Sequence, residues 1–445
     1  MPLLESILVH ADFLICPRWV VPVEPMGAVL ERHAVAVGGG RILAVLPREL
    51  AQARYRAASV IERPDHVLMP GLVNAHTHAA MTLLRGYADD LPLERWLADH
   101  IWPAEGRWLS EEFVRDGAEL AMLEMLRGGT TCFMDMYLFP EPVAGLAVEH
   151  RLRAVLGLVV IDQPTPWART RDEYFAKGLA LHDQYRGHPL VSTAFGPHAP
   201  YSVGDATLSH LRLLANELDL AVHMHVHETA AEVTDGIAQY GERPLARLDR
   251  LKLLSAQFMA VHATALDAAD IALLAERRAS VVHCPSSNQK LASGTAPVSA
   301  LMAAGVNVAL GTDGAASNNR LDMFTEMRAA ALQAKVAGRD AAALPAAAAL
   351  AMATLNGARA LGLADRIGSI EAGKEADLIC VDLSDAATQP VHHVISQLVY
   401  AAGAHQVSDA WIAGEHRLVG KVAQGFDTAA IIARASAWQG RMAAP

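Results

Sequence analysis

Short apolar runs alternate with segments of helical periodicity along most of the chain. Eight runs have the length and composition of buried β-strands; they cover residues 72–78, 131–135, 154–161, 191–198, 221–228, 258–263, 280–284 and 306–313. The segments between them carry helix signals. Residues 110–127, for example, begin with a serine N-cap and acidic residues and end at two glycines. Eight strand–helix units predict an α/β fold, a (β/α)8 TIM barrel with its chemistry at the carboxyl ends of the strands.

A second β pattern occupies both ends of the chain. Residues 7–10, 34–37 and 42–45 have strand-like composition, and three glycines at 38–40 indicate a hairpin turn. Similar segments return at 376–382 and 407–414. We therefore predict a barrel of residues 67–366 and one small β-sandwich domain. Residues 1–66 form the first part of that domain, and residues 367–445 form its second part and a terminal helix.

Composition and charge argue against several classes of protein. The 445 residues are 52% hydrophobic and 19% charged, with a formal net charge of -11. This acidic balance argues against a nucleic-acid or anionic-membrane surface. No apolar run approaches the ~20 residues of a membrane span, and the N-terminus lacks the features of a signal peptide. From the charge and the apolar runs we expect neither a nucleic-acid nor a membrane partner. The four cysteines are widely spaced, without a C-x-x-C pair, so we expect a reducing cytoplasm. They are Cys16, Cys132, Cys284 and Cys380.

Metal-ligand and acid–base side chains lie at the ends of the predicted strands. They are His76 and His78 on the first, His198 on the fourth, His225 and Glu228 on the fifth, His262 on the sixth and Asp313 on the eighth. His76 and His78 are two residues apart, so in a strand their side chains point to the same side and can meet one ion. The series as a whole indicates a metal-dependent hydrolase.

The fifth predicted strand carries three alternating histidines. His223, His225 and His227 are expected on one face of the strand, and at least one should bind the metal. The alternative for His223 and His227 is a polar group satisfied inside the barrel. Glu228 is a candidate acid/base; its alternative is a carboxylate at the start of the helix that follows Thr229.

Two further positions have both a structural and a chemical interpretation. His262 ends an apolar run, where a lone histidine is often a hydrogen-bonded core residue. Asp313 precedes a glycine, where aspartate is often only a turn residue. A carboxylate on the last strand would complete a shell of three histidines and one aspartate, opposite His76 and His78. Such a shell suits zinc, with iron, manganese or nickel as alternatives.

The motifs at these strand ends resemble those of the amidohydrolase superfamily over nearly the whole chain. Within it, the sequence is similar to the branch of 5'-methylthioadenosine/S-adenosylhomocysteine deaminases and the related triazine chlorohydrolases. The matching segments are residues 70–78, 196–201, 225–229, 283–291, 311–319 and 367–377. The resemblance implies that His76, His78, His225 and Asp313 bind the metal. It implies catalytic roles for Glu228, His262 and Asp313.

The resemblance also bears on metal number and substrate. Two-metal relatives usually hold a bridging lysine at the end of strand four, which this chain lacks; we expect one divalent metal, zinc, and substrate contact by His198. Glu105 aligns with a carboxylate that binds ribose hydroxyls; its alternative is a solvated loop residue. Leu158 stands where some relatives carry an arginine for the charged tail of S-adenosylhomocysteine. Arg169 and Arg171 could take the place of that arginine. The leucine at position 158 nevertheless favours methylthioadenosine over S-adenosylhomocysteine as the substrate.

The expected reaction is therefore hydrolytic removal of the C6 amino group from an adenine nucleoside. A triazine- or ammeline-type hydrolase and another nucleobase deaminase are the alternatives within the fold. A non-catalytic metal-binding protein would be expected to lose Glu228, His262 or Asp313, and all three are present. The expected partner is a small nucleoside, and the chain is a possible homo-oligomer.

Overall fold

Two β-sheets organise residues 8–443, the part of the chain that this computed structural model describes. Residues 1–7, 444 and 445, which belong to the predicted terminal parts of the β domain, lie outside the described residues. The strands are β1 (Val9–Val20), β2 (Leu30–Glu31), β3 (His33–Gly38), β4 (Arg41–Pro47), β5 (Tyr55–Pro70), β6 (Leu72–Thr77), β7 (Thr130–Asp135), β8 (Arg153–Val160), β9 (Val191–Pro197), β10 (Val222–Val226), β11 (Phe258–His262), β12 (Ser280–His283), β13 (Asn307–Leu310), β14 (Leu378–Asp382), β15 (Val407–Ile412), β16 (Glu415–Val419) and β17 (Val422–Ala423).

Helices follow most strands and cover the barrel. They are α1 (Arg48–Arg54), α2 (Leu93–Trp96), α3 (Trp102–Trp108), α4 (Glu111–Arg127), α5 (Pro140–Glu149), α6 (Arg171–Tyr185), α7 (Asp205–Leu218), α8 (Ala230–Tyr240), α9 (Pro244–Arg250), α10 (Ala268–Arg277), α11 (Pro285–Lys290), α12 (Val298–Ala303), α13 (Ala315–Asn318), α14 (Met323–Gly338), α15 (Ala346–Met352), α16 (Leu355–Ala360), α17 (Val394–Tyr400) and α18 (Thr428–Ala443). None of these described helices is both long and apolar enough to cross a membrane.

The predicted TIM barrel is confirmed. Strands β6 to β13 pair in parallel in their chain order. The main chain of Asp313 donates to the carbonyl of His76 at 3.0 Å, and that of Thr312 donates to the Asn74 side chain at 2.9 Å. These two hydrogen bonds join the loop after β13 to β6, so they close the barrel at its carboxyl end.

The two chain ends form one mixed sheet, as expected. Its order is β17-β16-β15-β14-β5-β1-β3-β4, with β2 paired to β1. The strands of this sheet contribute to a core in which the Phe13 and Trp411 rings stack with centroids 6.2 Å apart. The predicted boundary between residues 66 and 67 falls inside β5, whose pairing with β14 continues to Pro70. The polypeptide therefore passes from this sheet into the barrel at Gly71, a few residues later than expected.

Buried ion pairs fix the sheet against the barrel. Arg153, at the start of β8, donates to Asp377 at 2.9 Å and to Glu375 at 2.6 Å. All three side chains are buried, and the two carboxylates precede β14. Charge-assisted pairs of this kind fix the orientation of the mixed sheet relative to the barrel. The amino-terminal end of β8 is therefore held against the sheet.

Helix α4 shows how the local sequence sets these elements. The Ser110 hydroxyl accepts the backbone N–H of Phe113 at 3.2 Å, and Gly128 caps the other end. The predicted limits of this helix are confirmed.

Candidate metal-dependent active site

A cavity of about 560 Å³ opens at the carboxyl ends of the barrel strands. Its wall includes most of the residues that sequence reasoning selected: His78, Glu105, His198, His225, Glu228, His262 and Asp313. His76 lies just beneath this wall and is fully buried. One cavity therefore brings together side chains that are widely separated along the chain.

Three histidines converge at the base of the cavity. One ring nitrogen from each of His76, His78 and His225 lies within 4.8 Å of the other two. The Nε2 atoms of His76 and His225 are 3.2 Å apart. Neutral imidazole nitrogens aimed at one point are the usual arrangement of a metal site. Burial lowers the pKa of His76 to about 4, so its ring is neutral near pH 7 and has a lone pair available.

Asp313 supplies the oxygen that completes this set. Its Oδ1 is 3.5 Å from Nε2 of His76 and 3.3 Å from Nε2 of His78. Its Oδ2 accepts hydrogen bonds from Ser287 at 2.6 Å and Ser317 at 2.9 Å. Burial alone would raise the pKa of Asp313, but the contact with His76 and the charge of His78 hold it well below its ordinary value. Asp313 is therefore ionised, with Oδ1 directed at the histidines.

The donor set fits one divalent ion. Three imidazole nitrogens and one carboxylate oxygen match the ligands that zinc prefers. A second group of potential ligands, His76, His262 and Asp313, shares two members with the first. Within residues 8–443 both groups therefore describe a single place.

Glu228 lies beside this cluster, two residues after β10. Its side chain is buried, and Oε1 is 3.7 Å from Nε2 of His262. Burial raises the pKa of Glu228, and the charge of Asp313 adds to this rise. The charge of His262 opposes it but is too weak to cancel it, so the pKa of Glu228 is above its ordinary value. A carboxyl group with a raised pKa retains a proton closer to neutral pH, as a general acid requires.

His262 is the last residue of β11, and its ring is oriented by Asn288. Nδ1 of His262 lies 2.8 Å from Oδ1 of Asn288, in a buried contact. Burial lowers the pKa of His262, but the carboxylates of Glu228 and Asp313 raise it by more. The ring therefore presents Nε2 to the cavity with an increased capacity to hold a proton.

Glu232 is a site residue that sequence reasoning missed. Its two carboxylate oxygens accept the backbone N–H groups of His227 at 2.9 Å and Glu228 at 2.8 Å. The Thr264 hydroxyl donates to the carbonyl of Glu228 at 2.7 Å. Glu228 is thus held on both sides of its α-carbon. The T-x-x-E pattern beginning at Thr229 is a capping-box signature, which could have drawn attention to Glu232.

Glu105 lies in α3, across the cavity mouth, and is only partly buried. The Tyr137 hydroxyl, another missed residue, donates to Oε1 of Glu105 at 2.6 Å. Burial raises the pKa of Glu105, and the hydrogen bond from Tyr137 opposes the rise. Glu105 therefore belongs to the cavity rather than to a solvated loop.

His198 follows β9 and lines the same cavity. Its Nδ1 is 3.0 Å from the Ser202 hydroxyl, and burial lowers its pKa to about 4. Its carbonyl oxygen is 2.8 Å from Nδ1 of His225. The residue therefore both lines the cavity and orients the ring of His225.

The end of the cavity at the loop after β8 is mostly apolar. Its lining includes Leu138, Val159, Ile161, Pro164 and Pro166, with the polar residues Gln163 and Thr165 between them. No lysine or arginine lines the cavity as formed by the described chain.

The two arginines expected at this end lie outside the cavity. Arg171 is exposed and donates to Asp172 at 3.0 Å. Arg169 is exposed on the turn before α6, and its backbone N–H donates to Glu173 at 2.7 Å. Leu158 is buried in the core and packs on Gly178. The structure thus does not bring Arg169 or Arg171 to the site.

The sequence predicted that the three alternating histidines of strand five share one face. The structure shows that they do not. The strand β10 ends at Val226, and His227 has a positive φ of 53°. This left-handed turn directs its ring away, where Nε2 accepts the backbone N–H of Leu245 at 3.2 Å. Only His223 and His225 remain on the inner face.

Comparison with known proteins adds sequence and fold relationships. A model of the amidohydrolase family matches residues 67–417. A protein of Teredinibacter turnerae named 5-methylthioadenosine/S-adenosylhomocysteine deaminase is 50% identical over 433 residues, 97% of this chain and 98% of that protein. One of the same name from Saccharophagus degradans is 47% identical, covering 96% of each.

Two solved structures extend the comparison. The structure of an adenosine deaminase from Xanthomonas campestris with bound zinc superposes with a TM-score of 0.97 and 58% identity, covering 98% of this chain and 99% of that one. A zinc complex of an atrazine chlorohydrolase from Arthrobacter aurescens has a TM-score of 0.89 at 22% identity, covering 96% of this chain and 99% of that one. The second likeness concerns the fold alone.

Proposed function

This chain belongs to the amidohydrolase family, and we propose that it hydrolytically deaminates the adenine ring of 5'-methylthioadenosine and S-adenosylhomocysteine. The products are the corresponding inosine analogue and ammonia. The observation that carries the proposal is a buried acid, Glu228, in the same cavity as the three-histidine cluster, with Glu105 at its mouth. The relatives that bear this name match the chain over most of its length.

One zinc ion is the proposed cofactor, held by His76, His78, His225 and Asp313. The zinc-bound relative at 58% identity supports this choice of metal. The ion supplies Lewis acidity that lets water act as a nucleophile near neutral pH. The remaining steps belong to side chains of this protein.

Proton transfers are assigned to the two carboxylates. Glu228 gives its proton to N1 of the purine, so that the electron pair of the C6–N1 double bond moves to N1 as water adds at C6. Asp313 takes a proton from that water through Oδ1, the oxygen not engaged by Ser287 and Ser317. His262 orients the attacking oxygen. The bond between C6 and the amino nitrogen then breaks as Asp313 passes its proton to that nitrogen, which leaves as ammonia. The C6 hydroxyl becomes a carbonyl group and gives its remaining proton to Glu228.

Substrate binding is assigned to the other residues of the cavity. We propose that Glu105 accepts the 2' and 3' hydroxyls of ribose, because one carboxylate can accept two adjacent donors. His198 is proposed to contact the purine, since it stands beside His225 and faces the cavity. The apolar end is proposed to receive the 5' substituent, which favours a methylthio group over a charged amino-acid tail.

The cellular setting is part of the same proposal. The four cysteines are all buried and unpaired, which supports a cytoplasmic location. The small-molecule cavity and the net charge of -11 support a nucleoside substrate and no nucleic-acid partner. A homo-oligomer is a possible state.

The direct test measures ammonia release from a substrate panel. We expect turnover of methylthioadenosine and S-adenosylhomocysteine and little from free adenine. Chloride release from atrazine serves as the competing assay. Rapid dechlorination with no nucleoside turnover would overturn the proposal in favour of a triazine hydrolase.

A further inference from the structure

Each ligand histidine uses its second ring nitrogen in a hydrogen bond. Nδ1 of His78 lies 2.6 Å from the carbonyl oxygen of Met136, and Nδ1 of His225 lies 2.8 Å from that of His198. Nδ1 of His76 instead lies 2.8 Å from Nε2 of His223. Of the three partners, only His223 contributes a side chain.

The arrangement determines which ring donates in the His76–His223 pair. Nε2 of His76 faces the cluster, 3.2 Å from His225 and 3.5 Å from Asp313. A nitrogen that binds a metal carries no hydrogen, so the hydrogen of a neutral His76 ring is on Nδ1. This N–H donates to Nε2 of His223, whose own hydrogen must then be on Nδ1.

We propose that His223 is a positioning residue of the metal site, which accepts the Nδ1 hydrogen of His76 and thereby directs Nε2 of His76 at the ion. The inference rests on the metal of the proposed function. Outer hydrogen bonds of this kind fix the tautomer and orientation of a ligand ring and increase its basicity. His76 and His223 are both 0% exposed, so water does not compete for the contact.

Packing alone does not account for His223. Its Nδ1 is buried and has no hydrogen-bond partner among the described residues. Leaving a buried donor unpaired costs about 1–3 kcal/mol, a cost that a phenylalanine of similar shape would avoid. The contact with His76 is therefore the reason to retain an imidazole at this position.

The test is zinc affinity, measured by competition with a chelator of known affinity. His223→Phe keeps a ring but removes the acceptor, and we expect zinc binding about 10- to 100-fold weaker. His223→Gln places an acceptor near the same point and should recover most of the affinity. His283→Phe is the matched control: it replaces another fully buried barrel histidine, on β12, which makes no hydrogen bond to the proposed metal ligands among the described residues.

Several outcomes would overturn the proposal. His223→Phe with wild-type zinc affinity is one, and His223→Gln as weak as His223→Phe is another. If the phenylalanine variant does not fold, nitrogen-15 NMR of the wild-type protein gives the answer without it. We expect the hydrogen of His223 on Nδ1, and finding it on Nε2 would overturn the inference. Wild-type protein that binds no zinc would instead contradict the proposed function.

Discussion

The two ends of the active-site cavity are built by different kinds of contact. At the metal end, His78 and His225 are fixed by main-chain carbonyl groups of neighbouring strands or their loops. The rest of the cavity is called the loop end: apolar side chains such as Leu138 and Pro164 come from loops, and Glu105 of α3 is held by the hydroxyl of Tyr137. The barrel framework thus fixes the chemistry, whereas loops set the choice of substrate. Changes at the metal end should abolish turnover, and changes at the loop end should alter selectivity.

Metal removal should have the largest effect. Treatment with a strong chelator is expected to abolish ammonia release, and zinc should restore it at one equivalent per chain. The reason is that the candidate ligands found in residues 8–443 converge on one place; those proposed to bind the ion are His76, His78, His225 and Asp313. Metal analysis that finds two equivalents, both required for activity, would contradict the single-ion interpretation.

Glu228→Gln tests the acid of the metal end. The amide keeps the shape of the side chain but does not deliver a proton, so kcat/KM should fall by ~10²–10⁴-fold while zinc content stays at one. Glu276→Gln, at a largely exposed position on α10, is the control and should retain full activity. A fall of less than about tenfold for Glu228→Gln would show that this residue is not the proton carrier.

Glu105→Ala tests the loop end. Loss of a charge-assisted pair of hydrogen bonds to ribose should cost about 1.5–3 kcal/mol, or roughly 10- to 150-fold in kcat/KM for methylthioadenosine. The weak reaction with free adenine should be nearly unchanged, since adenine has no diol. An equal loss on nucleoside and free base would assign Glu105 a structural role instead.

Glu326 links the metal end to protein stability. It is fully buried and accepts the Ser286 N–H at 3.1 Å and the Asn318 side chain at 2.8 Å. Burial raises its pKa to about 7, from 4.5 for an ordinary glutamate. Between these values the folded protein holds a proton that the unfolded chain has released, so stability falls as pH rises from 4.5 to 7. The Tm of Glu326→Gln should therefore fall less than the Tm of the wild type between pH 5 and pH 7.5. An equal fall in Tm for both proteins would refute this linkage.

The smallest effect is expected at the two arginines near the loop end. Because Arg169 and Arg171 lie outside the cavity, the double substitution to alanine should change kcat/KM for methylthioadenosine and S-adenosylhomocysteine by less than about twofold, within the range of surface changes. A selective loss with S-adenosylhomocysteine would show that one of them moves to bind its charged tail. That result would reverse our preference for the uncharged substrate.

The metal end was more accessible to sequence reasoning than the loop end. His76, His225 and Asp313 lie on or just after barrel strands, and the strand pattern alone places them at one rim of the barrel. The turn at His227 escaped prediction because its positive φ depends on contacts made by Glu232 and Leu245.

Loop geometry explains the other differences. Tyr137 reaches Glu105 through tertiary packing between segments separated along the chain, and no local pattern marks that hydrogen bond. Arg169 and Arg171 were selected for their charge, but the turn before α6 carries them to the surface. Selection by charge alone therefore found cationic side chains that lie outside the cavity.

The hydrogen bond from Asp313 to the carbonyl of His76 has a consequence for assembly of the protein. It joins the loop after the last barrel strand to the first strand, and the same two residues contribute atoms to the proposed ion site. A growing chain on the ribosome therefore has no complete coordination set until its final barrel strand has docked. The complete set of four proposed ligands therefore exists only in a closed barrel, because Asp313 arrives with the last strand.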